Sequence, residues 1–305
     1  MIPDSTMKQI FLSTIRIEVE RDDEQFPYGE GTGFVYSATT GPEKMPALVT
    51  NWHVIADATK ISFSFHARAG DGSPVLGEAC NVTLENPFTQ HVNLRPVRHP
   101  NADVDLAVLP IGWALNALEA RGYRPFSIML DSSNCPPGDV IESLDPGETV
   151  TFVGYPDGLY DRKHNTPIFR SGIAATPLSL DWCGRPQFLV DASVFPGSSG
   201  SPVFLVQNPP YRSGQNVILG GAARVFFLGV MTWVMDTPMY AEVEIARIPR
   251  VDVRQPIGLG IVQKWMTIEE NIDEMRRVLN LGRGDVAAVS PDPGAVEMHG
   301  SRETS

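Results

Sequence analysis

Phe195-Pro196-Gly197-Ser198-Ser199-Gly200-Ser201-Pro202 is the stretch on which the reading of this chain turns. Glycines on both sides of a serine let the backbone turn sharply and leave the hydroxyl exposed. They also let backbone N–H groups converge beside it, where they can hold the negative oxygen that develops when a carbonyl is attacked. A serine hydroxyl is a weak nucleophile by itself and needs a base, and the base needs something to orient it.

Two upstream segments supply those groups. Leu48-Val49-Thr50-Asn51-Trp52-His53 is an apolar strand running into a histidine, and Asp105-Leu106-Ala107-Val108-Leu109 is an acid leading into an apolar strand. A carboxylate at the start of a buried strand can accept one imidazole N–H and fix the tautomer. Asp103, two residues earlier, is the competing acid. Asp105 is preferred because it directly precedes the strand. His99 is expected in the loop before that strand, and His66, His91, His164 and His299 read as surface residues.

The rest of the chain is consistent with β-structure. Ile15, Ile17 and Val19 alternate with Arg16 and Glu18, and Ile61, Phe63 and Phe65 alternate with Ser62 and Ser64. That period of two puts one face on a core and the other toward water. Further strands are expected at 33–37, 46–50, 106–111, 149–154, 187–191, 202–206, 223–230 and 258–264. With 27 glycines and 26 prolines among 305 residues, the composition is rich in turns and argues against a helical bundle. Many short strands separated by turns suggest barrels or sandwiches. A short helix is expected near 113–121. A longer one is expected from Thr267-Ile268-Glu269-Glu270, which reads as a capping box. Ile268, Ile272, Met275 and Leu279 follow on one helical face, and Gly282 is the expected stop.

Composition excludes several classes. The chain has 36 acidic and 24 basic residues, a net charge of −12, which weighs against nucleic-acid and anionic-membrane partners. Three widely spaced cysteines, Cys80, Cys135 and Cys183, make neither a zinc motif nor a disulfide framework, so no metal and a reducing, cytoplasmic setting are expected. No apolar run is long enough to span a bilayer, and the first residues do not form a secretory signal.

Taken in order, the segments resemble the trypsin/chymotrypsin-like serine peptidases, and most nearly the bacterial members without disulfides, such as the HtrA-like proteases. Gly31-Thr32-Gly33-Phe34-Val35 resembles the family's early GSGF-type strand. Leu48 to His53 resembles L-T-A-A-H, Asp105 to Leu109 resembles D-I-A-L-L, and Gly197 to Pro202 resembles G-D-S-G-G-P. Gly229-Val230-Met231-Thr232-Trp233-Val234 resembles the substrate-lining G-I-V-S-W-G strand. The resemblance implies an all-β fold of two antiparallel six-stranded barrels with a C-terminal helix. Its expected divisions are an N-terminal barrel over 1–120, a second barrel over 121–265, the helix over 266–282 and a disordered tail over 283–305.

It implies His53 as general base, Asp105 as its orienting acid and Ser199 as nucleophile. The N–H groups of Gly197 and Ser199 would form the oxyanion hole. Thr232, Trp233 and Val234 would line the substrate, with Ser193 at the base of the primary pocket and Val234 and Gly260 on its walls. That pocket implies cleavage after small or medium apolar residues, unless Asp191 or Asp236 reaches it. No cofactor is implied. The partner is a protein or peptide substrate.

The chain departs from the family in having Ser198 where regulated members carry an aspartate, and no Arg-Ile-Val-Gly-Gly site near the start. Activation by N-terminal cleavage is therefore not expected, and control is left to loops, a regulatory protein partner or expression. No PDZ-like region is expected after Gly282. An esterase of the α/β-hydrolase type would need G-x-S-x-G and the order Ser, Asp, His, which this sequence lacks. A catalytically inactive, peptide-binding module of the same fold remains open at this point.

Overall fold

A computed structural model describes residues 6–38, 45–90, 94–195, 197–213, 216–239, 253–279 and 296–302; side chains are not described for 212–217, 234–257 and 296–302. The N-terminal half contains α1 (Thr6–Ser13), β1 (Ile15–Arg21), β2 (Tyr28–Ala38), β3 (Met45–Thr50), α2 (Trp52–Ile55), β4 (Ala58–Arg68), β5 (Pro74–Glu85), β6 (Val97–Arg98), β7 (Ala107–Pro110), α3 (Gly112–Ala120) and β8 (Pro125–Phe126). The C-terminal half contains α4 (Gly138–Glu142), β9 (Thr149–Gly154), β10 (Ile168–Ala174), β11 (Gln187–Asp191), β12 (Pro202–Gln207), β13 (Tyr211–Ser213), β14 (Asn216–Ile218), β15 (Arg224–Met239), β16 (Val253–Lys264), α5 (Met266–Val278) and β17 (Val296–Arg302).

The alternating segments form strands for the reason their pattern implies. Along β1 the buried residues are Ile15, Ile17 and Val19, while Arg16 and Glu18 lie at the half-exposed face. On β4, Ile61, Phe63 and Phe65 all point inward. They join Leu48, Val82, Leu84 and Leu109 in one core. Burying each such side chain contributes about 1.5–3 kcal/mol.

In the C-terminal half, β10-β11-β16-β15-β12-β9 close into a six-stranded barrel. It is filled by Phe152, Phe188, Val190, Val203, Leu205, Met231 and Val262. In the N-terminal half the expectation of a second closed six-stranded barrel is corrected. The strands form one nine-stranded sheet in the order β17-β5-β4-β1-β2-β3-β7-β6, with β8 beside β4. The reason lies at β5. Its inner edge pairs with β4 and its outer edge with β17, so no edge is left for β6 to close onto. The same pairing corrects the expected tail: of 283–305, the segment Val296–Arg302 is a strand, and 283–295 and 303–305 lie outside the described residues.

A third core lies between the two halves. Phe34, Tyr36 and Val49 from the first sheet meet Phe204, Phe227 and Val230 from the barrel. The apolar face of α5 (Ile268, Ile272, Met275) closes it, with Leu279 just beyond the helix end. The helix starts two residues before the position its expected cap implies. Met266 is its first residue, and the Thr267 hydroxyl donates back to the Lys264 carbonyl at 2.7 Å rather than capping the helix. His66, read as a surface residue, is instead buried on β4, and desolvation pushes its pKa down. His164 is exposed beside Asp161, while His91 and the His299 side chain lie outside the described residues.

Candidate active site

The histidine arm begins at the end of β3. Asn51, with extended backbone (φ −81°, ψ 149°), ends the strand, and α2 is a single turn that projects His53. A turn this short has no stability of its own. Arg21 holds it from below: Nε donates to the Ala56 carbonyl at 3.0 Å, and Nη2 donates to those of Val54 at 2.7 Å and His53 at 3.4 Å.

Asp105 reaches His53 twice. Its Oδ1 accepts the His53 backbone N–H at 3.0 Å, and its Oδ2 pairs closely with Nδ1 of the ring. A carboxylate can only accept, so the ring proton sits on Nδ1 and the lone pair on Nε2 is left for other work. Asp103 does not compete: it is exposed and faces Arg185. His99 is buried behind the site, with Nδ1 accepting the Asn101 N–H at 3.1 Å and Nε2 3.2 Å from Glu270.

The serine arm is the loop before β12. Gly197 and Gly200 have φ of +80° and +85°, in the left-handed region that favours glycine. Space demands glycine there too. A Cβ on Gly200 would lie 1.8 Å from the Thr32 carbonyl oxygen, and one on Gly197 would lie 2.5 Å from that of Tyr155. Ser198 is buried, and Arg170, whose guanidinium lies 4.9 Å from the Phe195 ring centre, reaches its hydroxyl at 3.4 Å. Among the described residues, the N–H groups of Gly197 and Ser199 meet no acceptor.

The two arms meet at a bulge. In the β15–β16 pair, Met231 faces Val262 and Trp233 faces Ile261, so Thr232 is the extra residue with no partner across the ladder. Its unpaired carbonyl accepts the Ser199 hydroxyl at 3.2 Å. Its own hydroxyl oxygen accepts from Asn51 Nδ2 at 3.3 Å, and the same amide donates to the Asp105 carbonyl at 2.7 Å. The next residue, Trp233, lays its ring 4.8 Å from the His53 ring centre, tilted by 32°. Residues from both halves of the chain are thus brought around one strand irregularity.

Ser199 and His53 flank Thr232 and Trp233. Among the described residues no hydrogen bond joins them; the Ser199 hydroxyl donates to the Thr232 carbonyl instead. Of the expected pocket residues, Ser193 is exposed and Gly260 is buried. A Cβ on Gly260 would meet Val194 at 2.8 Å and Met231 Sδ at 3.0 Å. The side chains of Val234 and Asp236 lie outside the described residues. Asp191 is exposed, its Oδ1 4.0 Å from where a Cβ on Gly258 would lie.

Asn51, Arg21 and Thr32 have no assigned role in the sequence reading. Thr32, between two glycines in a quoted motif, and Asn51, two residues before the histidine, were both in plain view. Arg21 carries no such signal, because its partners are backbone carbonyls more than 30 residues away. Among the described residues, no group of three or more His, Cys, Asp or Glu side chains could hold a metal ion, and no helix is long and apolar enough to cross a membrane.

A β-protein that gathers a histidine–aspartate pair and a glycine-flanked serine around one bulged strand is of the trypsin-like peptidase class. The sequence model of the trypsin-like peptidase domain matches residues 31–208, more than half of the chain, and the chain belongs to that family. Among solved structures, the active form of the Rv3671c protease from M. tuberculosis aligns at 18% identity with a TM-score of 0.43, covering 90% of this chain and 88% of the other. The thermostable serine protease AL20 from an extremophilic microorganism aligns at 11% identity with a TM-score of 0.46, covering 87% and 97%. The HtrA-type protease AlgW, solved with a tripeptide, aligns at 15% identity with a TM-score of 0.40, covering 91% of this chain and 65% of that one. Comparison with the curated proteins gave no match.

Proposed function

We propose that this protein is a serine endopeptidase in which Ser199 attacks the peptide carbonyl. The observation that carries the reading is the double grip of Asp105 on His53, which leaves Nε2 to act as a base, while Trp233 beside the His53 ring directly follows the Thr232 carbonyl that holds Ser199. Rotation of the Ser199 hydroxyl from the Thr232 carbonyl toward Nε2 hands its proton to His53 as the oxygen attacks. Asp105 stabilises the imidazolium, and the N–H groups of Gly197 and Ser199 hold the oxyanion. His53 then protonates the leaving amine, and water hydrolyses the acyl-enzyme.

Substrates are proteins or peptides, cut after small or medium apolar residues in a pocket formed by Ser193, Val234 and Gly260. The apolar neighbours Val194 and Met231 behind Gly260 support that preference. A cleavage profile over a peptide library should favour Ala, Val, Leu and Met; dominance of Arg or Lys would reject it. Three free cysteines support work in a reducing cytoplasm, and the net charge supports partners other than nucleic acid or membrane. Control falls to loops or a regulatory protein.

The orientation of the Ser199 hydroxyl toward Thr232 favours a second reading, a module that binds peptide without cutting it. Labelling with a fluorophosphonate probe separates the two. Modification at Ser199, abolished in S199A, is expected for the enzyme. A native chain that stays unlabelled under conditions that label known serine hydrolases would leave the binding module.

A further inference from the structure

Thr32 is a polar residue with no exposed surface, and each of its polar atoms is engaged. Its N–H donates to the Ser199 carbonyl at 2.9 Å, and its carbonyl accepts the Thr50 hydroxyl at 2.7 Å. Its own hydroxyl donates to the Gly197 carbonyl at 2.9 Å and accepts the Tyr155 N–H at 3.1 Å. A hydroxyl has one proton to give and lone pairs to receive, so these two bonds are mutually compatible.

The placement is confined. A Cβ on Gly31 would lie 2.4 Å from Val54, and one on Gly33 would lie 2.8 Å from Ile17, so the strand around Thr32 is packed against the sheet that carries His53. Thr32 thus belongs to the N-terminal sheet but grips two carbonyls of the serine loop, on either side of Ser198. Tyr155, which donates to the same hydroxyl, starts the loop whose backbone lies against Gly197.

We propose that the Thr32 hydroxyl is a positioning residue for the oxyanion loop. Gly197 has φ +80° and no side chain to fix its peptide planes. Anchoring its carbonyl on Thr32 sets the plane of the Gly197–Ser198 peptide. The two peptides beside it carry the Gly197 and Ser199 N–H groups, and with the Ser199 carbonyl also held by Thr32 the fixed plane limits how far either N–H can turn from the reacting carbonyl. Without the hydroxyl, the Gly197 carbonyl and the Tyr155 N–H lose their buried partner together, and the glycine hinge is free to turn. The consequence for catalysis rests on the serine-endopeptidase reading; the consequence for loop order does not.

The test pairs T32V, which keeps the shape and removes the hydroxyl, with T32S, which keeps the hydroxyl. T32A is the second hydroxyl-free variant should valine disturb the fold, and it carries the same expectation. Two readouts are taken on each full-length protein: the rate of fluorophosphonate labelling at Ser199, and amide hydrogen exchange in the peptide spanning 195–201. T32V should label about 10- to 100-fold more slowly than the parent, with T32S within about threefold of it. On peptide substrates the loss should fall on kcat with KM held. Exchange in the loop should quicken in T32V and stay at the parent level in T32S. Unchanged loop exchange in T32V, or T32S behaving like T32V, would overturn the proposal. A parent that never labels, but whose loop exchange responds to T32V and not T32S, would sink the peptidase reading and uphold the role of Thr32 in ordering the loop.

Discussion

Asp105 does two jobs with one carboxylate. One oxygen holds the His53 backbone and the other holds the ring, so a change at this position separates chemistry from architecture. D105N keeps the shape and an acceptor oxygen, but its amide can donate where the carboxylate accepts, so the ring proton is driven to Nε2 and the base is lost. The variant should fold normally and lower kcat by about four orders of magnitude with little change in KM, read by steady-state assay on a cleaved peptide. At this scale the sequence pointed to the His53–Asp105 pair and to the glycine-flanked Ser199, and was poor about their supports. His53, Asp105 and Ser199 stand in motifs because their chemistry fixes the neighbouring residue types. Arg21 acts on backbone carbonyls alone, and almost any sequence can lie opposite it; Asn51 bonds the Asp105 carbonyl and the Thr232 hydroxyl, partners more than 50 residues away in sequence.

At the scale of elements, α2 carries His53 on four residues, and its last carbonyls point at a guanidinium. Helix C-termini concentrate unpaired carbonyls and partial negative charge, and a cation there is favourable. R21M keeps much of the apolar stem and removes the three hydrogen bonds. It should cost about 2 kcal/mol of stability in a urea titration, because those carbonyls lose a charged partner. Strands whose alternation is clean were legible, as with β1 and β4. Two were not. In β10, Ile168, Phe169 and Ile173 are outward-facing and partly exposed, which breaks the polar-outside pattern. In β5, Gly77 takes a left-handed φ of +79°, and a Cβ there would lie 2.7 Å from the Lys163 carbonyl oxygen, so the strand is irregular where the pattern should be strongest. The Thr232 bulge was equally invisible, since it is a property of two strands in register and not of either alone.

On the scale of the molecule, the core between the halves decides whether the site exists. Phe227 stands at its centre, with the rings of Phe34, Phe204 and Tyr36 at 5.3, 5.6 and 6.2 Å between centres. F227A should destabilise the protein by about 3–5 kcal/mol through lost burial and the cavity left behind. Activity should vanish at the same urea concentration as tertiary fluorescence, because each half supplies only part of the constellation. Five of the six strands of the C-terminal barrel were legible and the resemblance implied its closure, whereas the fate of the N-terminal sheet depended on a segment over two hundred residues away in sequence.

That segment bears on colloidal behaviour more than on chemistry. From Glu78 to Leu84 the outer rim of β5 is matched residue for residue by Val296–Arg302, an intramolecular partner for backbone groups that would otherwise invite a neighbouring chain. The β5 sequence, Pro74-Val75-Leu76-Gly77-Glu78-Ala79-Cys80-Asn81-Val82-Thr83-Leu84-Glu85, contains no lysine to repel such a neighbour. With that rim paired inside the molecule, β5 offers no free edge between Glu78 and Leu84 on which strands of other molecules could grow.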